Sequence, residues 1–539
     1  MNQDKMPFVE ALENYKNEHF VPFHTPGHKI GHRAPSLLTE WMGPALPYDL
    51  GVMYALDDLH EPEGCLKEAQ DLAAELYGAA QCWFSVNGTT ALIEAMIMSV
   101  VGPGDTIIIP REAHRSVMSG LVLSGAKPVY LDCRFDVNWG VPLGASVENV
   151  VETLEAHPEA KAILLVYPNY YGIGVDLERI VVEAHNRGVI VLVDEAHGPH
   201  LPFSARLPRE ALEFGADLVA QSTHKSVGAL TQTSMLFGQG NLIDYRRVTQ
   251  MHQMLQSTSP NYIFLASLDM ARHQLAMNGE SIVNETVNLA LQLRRELAEI
   301  PGIRIMDYSS NTIVIDDINC QSTSASSTNA ANYDVTKVLI DARDLGLTGV
   351  EFEKLLRLEH IEVELVQAHH VLVLITIGDS QDSIRALVEV VRHVSETILQ
   401  SSEDGKEMLR SMDIPNGTSG VNENETFGVK QDSNSNLKHD TSSIEDTQYL
   451  PIPEVVLSPR QALYSERERI AIAESYGRIS GETISYYPPG IPFVGVGERI
   501  TPDVLQYIEM KQSQGYIPNG ADDASLETLW VIKYLRCNY

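Results

Sequence analysis

The sequence predicts a doubly wound α/β domain, on three observations. Short apolar runs rich in β-branched residues recur: TIIIP at 106–110, AILLVYP at 162–168 and VIVLVDE at 189–195. They are continuously apolar, which is how strands buried on both faces of a parallel sheet read. Helical stretches at 64–77, 89–101 and 112–124 accompany them, and each run ends in a turn signal. Strand, helix, strand at this spacing makes βαβ units. Ligands of such sheets bind beyond the carboxyl ends of the strands. The residues that follow each run are therefore where chemistry is expected.

The remaining elements follow in order. Residues 1–60 form an N-terminal segment ahead of a large domain at 61–300. Residues 301–400 change character: TIVID, TKVLID, IEVELV and VLVLITI alternate with helical stretches, as in a smaller α+β domain. Within it, the polar run between Cys320 and Tyr333 reads as a surface loop. Residues 401–450 are polar and aperiodic, the pattern of a flexible linker or insertion. Residues 451–539 make a separate C-terminal α+β module around SYYPPGIPFVGVGE. No internal repeat is present.

Composition narrows the function. The 539 residues carry 39 Lys+Arg against 72 Asp+Glu, a net charge of −33. That sign argues against nucleic acid, which needs clustered cations, and against anionic membranes. The linker holds ten acidic and four basic residues, so −27 of the charge belongs to the rest of the chain. A 44% hydrophobic content is enough for a large core. The N-terminus lacks the apolar stretch of a signal peptide, and no window has the length of a membrane span. Five scattered cysteines (Cys65, Cys82, Cys133, Cys320, Cys537) fit neither a disulfide framework nor a zinc site, and point to a reducing, cytoplasmic setting.

Four features carry the chemistry. Asp194 directly follows VIVLV, at the mouth of the sheet, where a helix cap is the plainer alternative. Lys225 follows ADLVAQ and lies among small and hydroxylic residues, Ser222, Thr223, Ser226 and Gly228. Gly88, Thr89 and Thr90 open the stretch ALIEAMIMSVV, where a helix N-terminus and hydroxyls favour a phosphate. His114 follows TIIIP and could stack on a planar ring. An amine, a strand-end carboxylate, a stacking imidazole and a phosphate cradle are together what pyridoxal phosphate requires.

These stretches closely resemble the bacterial ornithine/lysine/arginine decarboxylase family. The resemblance rests on PFHTPGHKIG (22–31), LDDLHEPEG (56–64), VNGTTA (86–91), PREAHRSV (110–117), VDEAHGPH (193–200), STHKSVGALTQTS (222–234), LGLTG (345–349) and YYPPGIP (486–492). It covers almost the whole chain outside 401–450 and is nearest the shorter, arginine-type members. It implies a pyridoxal-phosphate-dependent transferase-like large domain with a mixed, mainly parallel sheet, a small α+β domain and a C-terminal α+β module. Lys225 then matches the lysine that carries the cofactor, and Asp194 the partner of its ring nitrogen. His197 is similar to the histidine near the phenolic oxygen, and His114 to the one that stacks on the ring. Gly88, Thr89, Thr90, Ser222 and His224 resemble phosphate ligands. Ser257 and Thr258 resemble a segment that reaches the neighbouring subunit's phosphate, which implies at least a homodimer. The chain departs from the family where Pro-Gly-Glu is replaced by Gly497-Glu498.

The implied reaction releases carbon dioxide from a basic amino acid, with Lys225 or His224 as candidates to return a proton to Cα. Arginine is the expected substrate, with lysine and ornithine as alternatives, and an aminotransferase or other enzyme of the same fold behind them. Glu482 and Glu498 are candidates to meet the substrate's distal cation. His24, His28 and His32 have helical metal spacing, but Pro26, Gly27 and Gly31 break any helix there, so no metal is expected.

Overall fold

The computed structural model describes residues 1–132, 134–136, 138–307, 332–401, 450–486, 491–513 and 516–533. The expected strand TIVID, nearly all of the 401–450 linker and Cys133, Cys320 and Cys537 lie outside them, as do four residues, 487–490, of the YYPPGIP stretch.

Nine strands form in the first half of the chain. They are β1 (Gln81–Ser85), β2 (Thr106–Pro110), β3 (Lys127–Leu131), β4 (Arg134–Asp136), β5 (Val141–Gly144), β6 (Ala160–Val166), β7 (Ile190–Asp194), β8 (Leu218–Gln221) and β9 (Ser234–Gly238). Seven build one sheet in the order β1-β9-β8-β7-β6-β2-β3, and β4 pairs with β5 as a separate hairpin. Neighbours from β3 to β8 are parallel. Only β9 is reversed, antiparallel to both β8 and β1. The carboxyl ends of β1, β2, β6, β7 and β8 therefore share one edge, which the start of β9 joins.

The runs are continuously apolar because both faces are covered. Ile107, Ile109, Ala162, Leu164 and Leu192 pack into one core. Their neighbours Ile108, Ile163, Leu165, Val191 and Val193 point into the other, as the two-residue repeat of a strand dictates. This second core also takes Phe8 and Leu12 from the helix Pro7–Asn17. Asp269 holds that helix by accepting the Phe8 N–H at 3.0 Å.

The 37-residue helix Tyr262–Ala298 leads to a second sheet. Its strands β10 (Arg304–Ile305), β11 (Lys337–Asp341), β12 (Leu365–Val366) and β13 (His370–Leu374) run in the order β10-β11-β13-β12, all antiparallel. The helices Gly349–Leu358 and Gln381–Gln400 bury their apolar stripes against it. Capping boxes at Thr348 and Ser380 fix where these helices start.

Toward the C-terminus, β14 (Arg467–Ala471) pairs with β18 (Thr528–Ile532). The strands β15 (Ile484–Tyr486), β16 (Pro492–Val494) and β17 (Pro518–Asn519) form a third small sheet, and the helix Pro502–Ser513 completes this core. A buried ion pair between Arg111 and Glu498 docks the module beside the carboxyl end of β2. Arg460 adds a bond from Nε to the Val122 carbonyl at 2.6 Å.

Candidate active site

Every element that the βαβ pattern points to delivers a side chain to the same edge. Asp194 ends β7 and is almost fully buried, with Oδ1 accepting the Ala196 N–H at 3.1 Å. Burial pushes its carboxyl up, against the pull of His114 and Lys225. A buried carboxylate with one hydrogen bond is the environment that a cationic partner would relieve.

Lys225 sits in the single helical turn Thr223–Ser226 that follows β8. Its Nζ lies 3.0 Å from His197 Nε2 and 5.9 Å from the centre of the Tyr170 ring. Burial holds the ammonium below its ordinary value; Asp194 and Glu364 oppose this and Lys337 adds to it. His197 is held well below the ordinary imidazole value, first by burial and then by the charges of Lys225 and Lys337. A neutral His197 can accept from Lys225, and its Nδ1 is buried with no hydrogen-bond partner among the described residues. Tyr170 packs edge-on against His197, ring centres 4.5 Å apart, and donates its hydroxyl proton to Glu364.

The hydroxyl cluster lies beside this pair. Thr89 Oγ1 is 2.5 Å from Ser222 Oγ and 2.8 Å from Ser234 Oγ. All three residues are buried at the N-terminus of the helix Gly88–Val100. Gly88 has φ of +72°, and the space its missing side chain would fill is open. Its N–H is held by the Gln232 carbonyl at 2.9 Å. Thr90, on the same turn, faces outward.

His114 caps the helix Arg115–Ser124, its Nδ1 2.8 Å from Ser116 Oγ. His224 Nδ1 instead bonds the Thr233 carbonyl at 2.8 Å, which ties the two ends of the 222–234 loop. Thr258 does not join the cluster. It is exposed and lines an open cleft of about 550 Å³ with His60, Met251, Met254 and Gln256. Gln256 accepts the Val86 N–H at 3.2 Å, so this cleft backs onto the loop before Gly88.

The two glutamates named as candidates to meet a substrate cation both have partners within this chain. Glu482 accepts the N–H groups of Asp522 and Trp530, both at 2.9 Å, inside the C-terminal module. Glu498 binds Arg111 with both oxygens and the Gly495 N–H at 2.7 Å, and both ion-pair side chains are 1% exposed. The carboxylates that act on Lys225 are Asp194 and Glu364, the latter immediately before β12.

Sequence reasoning left Ser234 and Tyr170 without roles. Tyr170 follows the AILLVYP run by two residues, so the strand-end rule could have found it. Ser234 sits inside a quoted motif but starts a reversed strand, which the rule does not cover. The N-terminal histidines have separate settings: His28 Nε2 lies 3.1 Å from Asp49 Oδ2, and His24 Nδ1 2.6 Å from the Thr25 carbonyl.

The donor set fits pyridoxal phosphate. There is an amine for the aldehyde, a buried carboxylate for the ring nitrogen, and a hydroxyl-lined helix N-terminus with open space for a phosphate. His197 Nδ1 and Thr223 Oγ1, both buried and unpartnered among the described residues, are free to meet a polar ligand.

Known proteins converge on the same reading. Residues 6–383 match the Orn/Lys/Arg decarboxylase major domain and residues 442–517 its C-terminal domain. The arginine decarboxylase of Bacillus anthracis is 37% identical over 536 residues, covering 99% of this chain and 98% of that one. That of Bacillus subtilis is 38% identical over 535 residues, covering 99% of each. The crystal structure of the Francisella novicida lysine decarboxylase LdcF shares the fold, with a TM-score of 0.78 at 21% identity over 98% of this chain and 81% of that one. A match to both domains in chain order, over nearly the full length, leaves one conclusion: the chain belongs to the Orn/Lys/Arg decarboxylase family.

Proposed function

We propose that this chain decarboxylates L-arginine to agmatine and carbon dioxide, with pyridoxal phosphate as cofactor, as a homodimer in the cytoplasm. The observation that carries the reading is the meeting of Lys225, Asp194, His197 and the Thr89–Ser222–Ser234 hydroxyls at one sheet edge. Arginine is favoured because relatives named arginine decarboxylase match end to end at 37–38% identity. The lysine decarboxylase LdcA of Pseudomonas aeruginosa reaches 26%.

When bound, the cofactor supplies an aldehyde for amines and a ring that accepts the electron pair left as carbon dioxide departs. Lys225 and Asp194 would hold its two ends of reactivity, and Thr89, Ser222 and Ser234 its phosphate. Burial keeps the Lys225 amine easier to deprotonate, as a nucleophile needs. His197 accepts from that amine and fixes its direction. Asp194, as a carboxylate, would hold a proton on the ring nitrogen. His114 lies near Asp194 and would cover the ring plane, which keeps water off it. Lys225 is the candidate to return a proton to Cα, and His224, tied to the Thr233 carbonyl, would orient the loop.

The dimer is supported by the N-terminal segment. Phe23 is 93% exposed and Trp41 75%, with Phe20, Leu37 and Tyr54 also bare. A monomer rarely leaves that much apolar surface to water. Cys65 and Cys82 are free thiols, in keeping with a reducing compartment. Among the described residues no helix is long and apolar enough to cross a membrane.

The test is a competition. Arginine, lysine and ornithine are offered together, and released carbon dioxide and amine products are quantified. Agmatine as the main amine, equal in amount to carbon dioxide, is expected. Cadaverine or putrescine in excess would overturn the substrate. Pyridoxamine phosphate formed with no carbon dioxide would overturn the reaction.

A further inference from the structure

A second buried polar cluster lies directly behind the Lys225–His197 pair, built by the segment that enters β11. Asp334 is fully buried. Its Oδ2 accepts from Lys337 Nζ at 2.8 Å and lies 3.1 Å from His200 Nε2. Its Oδ1 accepts the Thr336 hydroxyl at 2.7 Å and the Thr336 N–H at 3.0 Å. Lys337 Nζ also reaches the His197 carbonyl at 3.5 Å. An ammonium and a carboxylate this deep persist only when paired and hydrogen-bonded. Here each is.

The cluster cannot drift. The Asp334 N–H bonds the Gly172 carbonyl at 2.8 Å, and the Gly174 N–H bonds the Asn332 carbonyl at 2.7 Å. Gly172 has φ of +84°, and a Cβ there would lie 2.6 Å from the Asp334 carbonyl oxygen. Arg294 adds bonds to the carbonyls of Val335 at 2.9 Å and Lys337 at 2.6 Å. The entry strand of the second sheet is thus fastened to the loop after β6 and the turn after β7.

We propose that Asp334, Lys337 and His200 form a positioning cluster, in which the Lys337 ammonium, fixed by Asp334 against the His197 carbonyl, sets the orientation and charge state of the Lys225–His197 pair. Their link toward Lys225 is the Lys337 bond to the His197 carbonyl, so they act through His197. Five charged or titratable groups face Lys225. Asp194 and Glu364 attract its proton, Lys337 repels it, and His197 and His114 sit beside it. Removing the Lys337 charge therefore leaves the proton on Lys225 more firmly held.

The inference rests on the proposed role of Lys225 but is tested without turnover. The full-length protein, prepared without cofactor, is treated with acetic anhydride across a pH series, and acetylation at Lys225 is read by mass spectrometry. Exposed Lys161 serves as the reference. The neutral double variant Asp334→Asn/Lys337→Met should react at Lys225 more slowly than wild type at a given pH, because it removes the Lys337 charge that opposes protonation there. Lys337→Arg, which keeps the charge, should restore the wild-type profile. A folded double variant with an unchanged profile, or an equal shift in Lys337→Arg, would overturn the proposal. Should the double variant not fold, imidazole NMR of the wild type decides. His197 and His200 must both stay neutral well below the ordinary histidine range, and titration of either within it overturns the proposal. Failure of the decarboxylase reading would appear separately, as absent carbon dioxide with this Lys225 chemistry intact.

Discussion

Glu498→Gln should loosen the C-terminal module without touching Lys225. Arg111 gives its two terminal nitrogens to Glu498 and Nε to the Pro492 carbonyl at 2.8 Å, and its guanidinium lies 4.4 Å from the centre of the Tyr130 ring. Burial works against the Arg111 charge, but Glu498 overrides it and holds the guanidinium above its ordinary value. Removing one partner of a buried pair costs about 3–5 kcal/mol, because the other charge stays buried. The module's open population should then rise by about two to four orders of magnitude. Native-state proteolysis, followed by the release of fragments carrying residues beyond 450, reads that population. Arg111→Met/Glu498→Met should recover most of the loss, since apolar side chains of similar volume replace such pairs at little cost. A single variant that is cut no faster than wild type would refute the docking role. So would a double variant weaker than both singles.

Three more outcomes are expected. Asp194→Asn should fold normally and lower kcat by about 10²–10³, the effect of losing one preorganised electrostatic group; an unchanged kcat would contradict its role. Glu210 is buried beside Glu195, and burial first, then the Glu195 charge, lifts its carboxyl up to about 9. Its neutral form carries the stability, which is present at low pH and lost as pH rises toward that value. Glu210→Gln should therefore flatten the alkaline fall in Tm by calorimetry, and parallel curves would refute this. Phe23→Asp/Trp41→Asp should shift sedimentation toward monomer and cut activity together, while a fully active monomer would break the link between assembly and site.

The sheet and most of its edge were legible because parallel strands buried on both faces print themselves as unbroken apolar runs. Each strand end then names its own candidate, and Asp194, His114 and Lys225 were found in that way. The expectation for Glu482 and Glu498 rested on motif and charge, and neither says whether a carboxylate's partners are already supplied elsewhere, by Asp522 and Trp530 for Glu482 and by Arg111 for Glu498. Asp334 and Lys337 were invisible for a related reason. Their partner His200 is more than a hundred residues away, and only the packing of β11 behind β7 brings them together. Ser234 was missed because nothing local marks β9 as the reversed strand.

That reversal also sorts the molecule's turns. The connection from β8 to β9 is a tight loop with both ends anchored on the catalytic edge, so added residues there would carry Lys225 out of register. The opposite edge is made of separate glycine turns, at Gly104, Gly125, Gly188, Gly215 and Gly240, each with positive φ. Around Gly188 a side chain would meet nothing within 4 Å. Tags, fluorophores or whole inserted domains belong at that end, where the chain can grow in length without moving the chemistry.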